Sequence, residues 1–356
     1  MSNIVFILGA GASKAAGAPL MAEFLDTAYE LWRTGQVQAA ETDFARVFRA
    51  VSDLQAVHSK ATLDINNIES VFSTLEMGTM LRKFPGDDPA NVGAIVDSLK
   101  LVIGTTLEST IRIPWQGGAQ APAHYGELVQ LIQKLREDLR PSRSVSVITF
   151  NYDVACDFAL HWRRVPVDYA LSDAAHVGAV PLLKLHGSLN WVYCPDLDRV
   201  VPWTMHEYFG TYNWNVWGDE PQFVKLQFMP HLGEYKYEDH DVIPEPVLVP
   251  PTWNKAEYHK NLSDVWSRAA HELTDAEHIF IVGYSLPETD SFFRYLYALG
   301  TAGGAPLKRI WVFNPEPGVE GRFRGMLGPG ATSRYRFFPQ TFDQALSIIN
   351  NEFRVS

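Results

Sequence analysis

The stretch that decides the fold is residues 4–13, which read IVFILGAGAS. Its first half is an unbroken apolar run, which predicts a strand buried on both faces. Gly9 and Gly11 follow in a turn of small residues, and a helical pattern covers residues 21–32. Strand, small-residue turn and helix are typical of a dinucleotide-binding unit. There, glycines let the backbone approach a diphosphate and a helix N-terminus offers N–H groups.

The glycine pattern of this turn departs from the usual one. The third glycine of G-x-G-x-x-G would fall at position 14, which is occupied by Lys14. Lys14 is not preceded by glycine, so the turn is not a Walker A loop either. Taken alone, the stretch is equally consistent with a tight β–α turn in any α/β protein.

The composition predicts a globular chain from a reducing compartment. The 356 residues are 46% hydrophobic, and we take them as a single domain, 1–356. Cys156 and Cys194 are the only cysteines, which fits the cytoplasm and is too few for a four-cysteine zinc site. We expect neither a signal peptide nor a membrane segment. The formal net charge of −11 disfavours direct binding of nucleic acid.

Two stretches interrupt the α/β pattern and are predicted to be insertions. Residues 40–140 carry mainly helical patterns, and a helix beginning near residue 67 is expected to be capped by Asp64 or Asn66. Residues 190–245 are rich in Trp, Tyr, Pro and His, which predicts an irregular aromatic-rich insertion rather than a disordered linker. We expect its tryptophans to pack a subdomain or an interface rather than to stack on bases, because the chain is acidic. These tryptophans are Trp191, Trp203, Trp214 and Trp217.

Elsewhere strand and helix patterns alternate, which predicts an α/β fold with a Rossmann-like, doubly wound parallel sheet. The predicted strands are residues 4–8, 145–150, 181–185, 247–249, 278–282, 309–313 and 334–338, and the helices among them are residues 21–32, 154–162, 256–273, 288–299 and 342–353. Ligands bind such sheets outside the carboxyl ends of the strands. The candidate site residues there are Gly9, Ala10, Gly11, Ser13, Asn151, Asp153, His186, Gly283, Ser285 and Asn314.

Each candidate also has an ordinary structural explanation. Asn151 or Asp153 could cap the helix that follows, and the pattern favours Asp153 as the cap. His186 could be a buried histidine bonded to the backbone, and Ser285 an ordinary turn residue. The agreement among several strand ends is therefore more informative than any single residue.

These motifs together resemble the sirtuin superfamily, and more closely its sirtuin-like NAD-hydrolase branch of bacterial antiphage defence. The order of the family's motifs is kept along the chain. The matching positions are residues 9–13 for Gly-Ala-Gly-x-Ser, 17–19 for Gly-x-Pro, 149–153 for Thr-Gln-Asn-Ile-Asp, 186–187 for His-Gly, 283–285 for Gly-x-Ser, and Asn314 for a late asparagine.

Two departures from the deacylating sirtuins are informative. Those enzymes carry four zinc cysteines between His-Gly and Gly-x-Ser, where this chain has only Cys194. The family's Asp-Phe-Arg is also absent after Pro19. We therefore expect no zinc, and we also expect that the acyl-lysine cleft is not built. His206, His231 and His240 lack metal-ligand spacing and are interpreted as surface or structural residues.

The resemblance implies an NAD site in which Asn151 binds the ribose hydroxyl or the attacking water and His186 is the general base. It implies that Gly9, Ala10, Gly11, Ser13, Asp153, Gly283, Ser285 and Asn314 bind the cofactor. The implied activity is an NAD glycohydrolase that depletes NAD as the effector subunit of an antiphage defence system. Two alternatives stay open: a deacylase or ADP-ribosyltransferase, and a non-catalytic module that senses NAD or ADP-ribose.

Control of such an activity is expected to come from outside the catalytic domain. The predicted elements fill residues 4–353 and leave no room for a separate sensor domain. The resemblance suggests self-assembly into a homo-oligomer, or a partner such as a HerA-like ATPase or an Argonaute-type nuclease.

Overall fold

The computed structural model describes residues 3–55, 63–86, 91–137, 144–172, 177–212, 222–249, 256–287, 291–302 and 305–353. The strands are β1 (Asn3–Leu8), β2 (Ile113–Pro114), β3 (Val145–Thr149), β4 (Val167–Asp168), β5 (Val180–Lys184), β6 (Gly187–Ser188), β7 (Trp191–Cys194), β8 (Arg199–Pro202), β9 (Phe223–Val224), β10 (Lys236–Tyr237), β11 (His240–Asp241), β12 (Val247–Leu248), β13 (Ala276–Val282), β14 (Arg309–Phe313) and β15 (Tyr335–Phe338). The helices are α1 (Ala10–Ser13), α2 (Phe24–Arg33), α3 (Glu41–Gln55), α4 (Ile68–Leu81), α5 (Val92–Thr110), α6 (Ala123–Glu137), α7 (Ala155–Trp162), α8 (Met205–Thr211), α9 (Ala256–Thr274), α10 (Ser291–Gly300), α11 (Val319–Arg324), α12 (Pro329–Thr332) and α13 (Phe342–Phe353).

The central layer is a seven-stranded parallel sheet in the order β15-β14-β13-β1-β3-β5-β4. Helices flank it, which confirms the predicted α/β class with a Rossmann-like parallel sheet. The chain leaves β1 towards β3 on one side and returns later to β13 on the other. A topological switch point therefore lies at the carboxyl end of β1, where open α/β sheets place their ligands.

The first strand is the most deeply buried part of the sheet. Residues 4–8 have no exposed surface, because β1 pairs with β3 and β13 and helices cover the sheet. Burying one such side chain contributes about 1.5–3 kcal/mol. This is why the strand consists of apolar residues without alternation.

The turn after β1 differs from the sequence expectation. The chain enters α1 directly at Ala10, continues as a 3₁₀ turn over Lys14–Ala16, and stops at Gly17 with φ +101°. A Cβ at Gly17 would lie 2.2 Å from the carbonyl oxygen of Thr110, so this stop requires glycine. The predicted helix at residues 21–32 is present as α2, preceded by a 3₁₀ turn.

The remaining predicted strands and helices are present, with ends shifted by a few residues. One correction concerns the cap of α4, which is neither Asp64 nor Asn66. The helix begins at Ile68, so the cap position falls on Asn67, whose side chain accepts a hydrogen bond from the Glu69 N–H at 2.9 Å. The start of the helix predicted at 288–299 lies outside the described residues, and α10 begins at Ser291.

The aromatic-rich segment is more regular than its sequence suggests. It contains the β7–β8 hairpin and α8, whose start carries a capping box of Thr204 and Glu207. Trp203 stacks on Tyr235 with ring centroids 4.7 Å apart, and Trp191 has no exposed surface. These aromatic side chains pack a core within the chain rather than an exposed interface. Trp214 and Trp217 lie outside the described residues.

Candidate functional site

The predicted site residues follow strands that end at the same level of the sheet. Leu8, the last residue of β1, lies opposite Thr149 of β3 and Val282 of β13. Val282 in turn lies opposite Phe313 of β14, and Thr149 opposite Lys184 of β5. The side chains that come next in sequence therefore meet at one edge, as the strand pattern predicts.

The turn after β1 packs directly against the loop after β13. The N–H groups of Gly9 and Gly11 donate to the carbonyls of Val282 and Gly283 at 3.1 and 2.9 Å, and Ala12 N–H donates to Gly9 O at 2.9 Å. These amides are used inside the protein. The amides of Gly9, Gly11 and Ala12 are therefore not among the N–H groups that this turn can offer to a ligand.

The glycines of this turn have a structural reason that needs no ligand. A Cβ at Gly9 would lie 2.5 Å from the Tyr284 Cα, and one at Gly11 would lie 2.8 Å from the Gly283 Cα. Gly283 has φ +64°, and its Cβ would lie 2.3 Å from Ala12 N. Only glycine permits this contact between two loops, so a cofactor role for these residues stays a prediction.

Asn151 is held in one orientation at the centre of the site. Its Nδ2 lies 3.0 Å from Gly9 O and 3.0 Å from Ser13 Oγ. A carbonyl oxygen can only accept, so the atom facing Gly9 must be the amide nitrogen. Both amide hydrogens are thereby used, whereas Oδ1 has no hydrogen-bond partner among the described residues, and Asn151 lines a cleft.

A tyrosine from the helical insertion completes this arrangement. The Tyr125 hydroxyl, on α6, lies 2.7 Å from Ser13 Oγ, and both side chains are buried. Burial raises the pKa of Tyr125 well above its ordinary value, so the phenol keeps its proton.

The pattern favours Asp153 as the cap of the next helix, but the N-cap position of α7 falls one residue later, on Val154. Asp153 Oδ1 accepts a hydrogen bond from the Ala155 N–H, at the start of α7, at 3.0 Å. Burial raises the pKa of Asp153, while nearby Lys184 and Ser13 act in the opposite direction. Lys184 Nζ donates to the Asp153 carbonyl at 2.7 Å and to Asp157 Oδ2 at 3.0 Å, which satisfies a fully buried ammonium.

A narrow cleft, partly open to solvent, lies beside these groups. Its walls are mostly apolar, and its polar groups come from the loop after β3 and from Glu69 of α4. Of the predicted site residues, Ala10, Asn151 and Asp153 line it. The other lining residues are Ala18, Pro19, Met21, Phe24, Ile68, Glu69, Ile103, Leu107, Phe150 and Tyr152.

His186 lies against the wall of this cleft. Its ring meets Phe150 edge-on at 5.1 Å and lies 6.1 Å from the Tyr152 ring, and both of these residues line the cleft. His186 is buried, and its backbone carbonyl accepts a hydrogen bond from Val249 N–H at 2.8 Å. The histidine is thus next to Asn151's loop, but separate from the residues that form the cleft surface.

The loops on the other side of β1 hold the remaining candidates. Asn314 Nδ2 donates to Tyr284 O at 3.4 Å, and its Oδ1 accepts from Glu316 N–H at 2.9 Å. Ser285 is partly exposed. It follows Tyr284, whose ring stacks on Phe150 with centroids 4.3 Å apart. The structure therefore brings Gly283, Ser285 and Asn314 to the same edge as the cleft, across β1 from it.

Sequence reasoning missed several residues of the site. Tyr125 and Glu69 each fall within a helical pattern of the sequence, which does not distinguish them from other residues of a helix face. Lys184 carried a usable signal, since it is a charged residue that ends the apolar strand VPLLK, where a lysine must find a buried partner.

Other features of the described chain bear on the expectations about metal and membrane. In the part of the chain that the structure describes, no group of three His, Cys, Asp or Glu side chains could hold a metal ion. Cys156 and Cys194 are buried and not bonded to each other. Among the described residues, no helix is both long and apolar enough to cross a membrane.

The comparisons with known proteins give low-level similarity to sirtuin structures. No protein-family model and no curated protein matches the chain. Similar solved structures include Sir2Tm bound to a propionylated peptide, with 11% identity over 99% of this chain and 94% of that chain and a TM-score of 0.38. Sir2 bound to an acetylated peptide has 12% identity over 99% and 94%, with a TM-score of 0.39. A Sir2 homologue–NAD complex has 15% identity over 99% and 91%, with a TM-score of 0.41.

Proposed function

We propose that this protein binds NAD and cleaves its nicotinamide–ribose bond, releasing nicotinamide and ADP-ribose. The observation that carries the proposal is Asn151. Its two amide hydrogens are bonded into the turn after β1, and the residue lines the cleft at the switch point of the sheet, which leaves Oδ1 as the amide atom available to a ligand. The order of the motifs along the sequence supports the same activity independently.

The cleft suits a flat aromatic ring with one polar edge. Pockets for small molecules are mostly apolar, with a few placed polar groups that fix the orientation of the ligand. Phe24, Phe150 and Tyr152 supply aromatic walls, while Asn151 and Asp153 supply polar groups at one end. In the proposed complex the nicotinamide ring occupies this cleft and the ribose lies beside Asn151.

Nicotinamide is a good leaving group in this reaction. The positively charged pyridinium takes the bonding electron pair and departs as neutral nicotinamide, leaving an oxocarbenium-like ribose. Water adds to this carbon and loses a proton. In this proposal Asn151 Oδ1 accepts a hydrogen bond from a ribose hydroxyl or from that water, and His186 takes the proton. A positioned base contributes about 100- to 10,000-fold.

One assay separates this proposal from its alternatives. Purified protein is incubated with NAD alone, and with NAD plus an acylated peptide, while nicotinamide is followed. Release from NAD alone is expected. Release only with the peptide would support a deacylase, and transfer of ADP-ribose to protein would support a transferase. Binding of NAD or ADP-ribose without any cleavage would support the sensing module.

We further propose that the activity serves as the NAD-depleting effector of an antiphage defence system. An uncontrolled NAD hydrolase would drain a cofactor that its own cell needs, so control by an oligomer or a partner is part of the proposal. Light scattering combined with NAD turnover across protein concentrations tests it. A strict monomer with full, concentration-independent activity and no partner would contradict it.

A further inference from the structure

The amide of Asn151 depends on a hydroxyl that the helical insertion supplies. Ser13 Oγ is the second acceptor for Asn151 Nδ2, at 3.0 Å, and it lies 2.7 Å from the hydroxyl of Tyr125. The Tyr125 hydroxyl also interacts directly with the Asn151 side chain. Tyr125 has 1% of its surface exposed, and Ser13 and Asn151 are also buried. Water therefore has little access to replace any partner in this chain of three side chains.

The ring of Tyr125 is fixed independently of its hydroxyl. It packs against Phe342 of α13 at 5.5 Å in an edge-to-face contact and against His124 at 4.9 Å. The ring thus places the hydroxyl against Ser13 by packing. Removing the hydroxyl while keeping the ring separates the two roles.

We propose that Tyr125 is a positioning residue: through Ser13 it holds the Asn151 amide so that Oδ1 faces the cleft. This inference deepens the proposed function and rests on it. Tyr125 touches neither the cleft nor the proposed substrate. It acts by keeping one acceptor oriented where a hydroxyl or water donates. The helical insertion is then part of the catalytic apparatus and not only a support for the sheet.

The test compares Tyr125→Phe with a matched control, Tyr235→Phe. Tyr235 is also a buried tyrosine whose hydroxyl makes one internal hydrogen bond, to Pro202 O at 3.0 Å in the aromatic-rich segment. For Tyr125→Phe we expect kcat for NAD to fall about 3- to 10-fold with an unchanged KM, because one orienting hydrogen bond is lost. The control is expected to keep both constants.

A double-mutant cycle tests the route through Ser13. Adding Tyr125→Phe to Ser13→Ala should cause a smaller loss of kcat than Tyr125→Phe causes in the wild-type protein, because the route through Ser13 is already broken and only the direct contact with Asn151 remains. Independent, multiplicative losses would show that Tyr125 acts by another route and would overturn the inference.

A second readout does not depend on NAD. The side-chain amide hydrogens of Asn151, assigned by their absence in Asn151→Ala, should exchange slowly with solvent in the wild-type protein and in Tyr235→Phe. They should exchange faster in Tyr125→Phe. If the exchange and kcat of Tyr125→Phe both match the control, the inference is wrong. If wild-type protein cleaves no NAD, the proposed function fails, and the inference, which rests on it, fails as a statement about catalysis. The exchange then still decides whether Tyr125 orients the amide.

Discussion

Two buried asparagines, one in the aromatic-rich segment and one at the edge of the central sheet, differ in the hydrogen bonding of their side-chain oxygen atoms. In the aromatic-rich segment, Asn190 Nδ2 donates to Trp203 O at 2.9 Å, and its Oδ1 accepts from Ser188 Oγ at 2.7 Å. At the sheet edge, Asn151 donates from Nδ2 to two internal acceptors, its Oδ1 has no hydrogen-bond partner among the described residues, and the residue lines the cleft. Both polar atoms of the Asn190 side chain therefore have hydrogen-bond partners within the protein, whereas only the nitrogen of the Asn151 side chain has them among the described residues.

The surroundings of the two asparagines also differ. Near Asn190, Trp203 stacks on Tyr235 and meets Phe228 edge-on, and all three rings are buried. Asn151 is also buried, but it and its neighbours Phe150 and Tyr152 line a cleft. Burial alone therefore does not identify a functional asparagine. The decisive feature is an acceptor that stays available after the local hydrogen bonds are counted.

The largest expected effect separates these two asparagines directly. Asn151→Ala should reduce nicotinamide release to background while the protein stays folded, because the acceptor in the cleft is lost. Asn190→Ala should lower stability, because Ser188 and Trp203 lose partners, but should keep turnover per folded molecule. Turnover and thermal unfolding are measured on both. Near wild-type release by Asn151→Ala would remove its proposed role.

His186 offers a comparison of the same kind. His186→Ala should lower kcat by about 100- to 10,000-fold if the imidazole is the general base. The control is His278→Ala, a buried histidine of β13 whose Nδ1 lies 3.1 Å from Arg309. We expect that control to affect stability and not kcat, as measured by steady-state kinetics beside thermal melts. Equal kinetic effects of the two variants would argue against a base at His186.

The aromatic core sets the next expectation. Trp203→Ala should lower the free energy of unfolding by about 3–5 kcal/mol, since it removes a large buried ring and leaves a cavity. Trp162→Ala, at a position 36% exposed, should have a much smaller effect. Urea unfolding of both variants checks this. Similar losses would mean that the aromatic segment contributes little to global stability.

The last expectation concerns pH. Burial raises the pKa of Glu108 to about 8. Its carboxyl group accepts hydrogen bonds from the N–H groups of Met229 and Phe228, which act in the opposite direction and lower the pKa. Its folded pKa lies above the unfolded value, so its contribution is fully present below about pH 4.5 and is lost as pH rises towards about 8.

The slope for one such group is at most about 1.4 kcal/mol per pH unit. Glu108→Gln should flatten the dependence of the unfolding free energy on pH across this window. Parallel curves for the two proteins would show that another group titrates there.

The fold was largely predictable from the sequence because its strongest signals are local. The apolar run at residues 4–8 and the alternation of strands and helices already determine the parallel sheet. The strand ends likewise predicted which side chains share an edge. The cap at Asn67 was missed because three nearby positions, 64, 66 and 67, all carry amide or carboxylate side chains, and only the exact start of the helix decides which of them is the cap.

The contacts that orient the site were not predictable in this way. Tyr125 and Ser13 are separated by 112 positions, and nothing in the helix pattern around Tyr125 marks its hydroxyl. The use of the Gly9, Gly11 and Ala12 amides within the protein likewise depends on how two loops pack. Such features arise from tertiary packing rather than from periodicity.

The most direct test of the account is a crystal structure of Asn151→Ala, in which turnover is blocked, with NAD bound. The account predicts the nicotinamide ring in the cleft lined by Phe24, Phe150 and Tyr152, with the ribose beside position 151 and within reach of His186. NAD bound elsewhere on the chain, with this cleft empty, would contradict it.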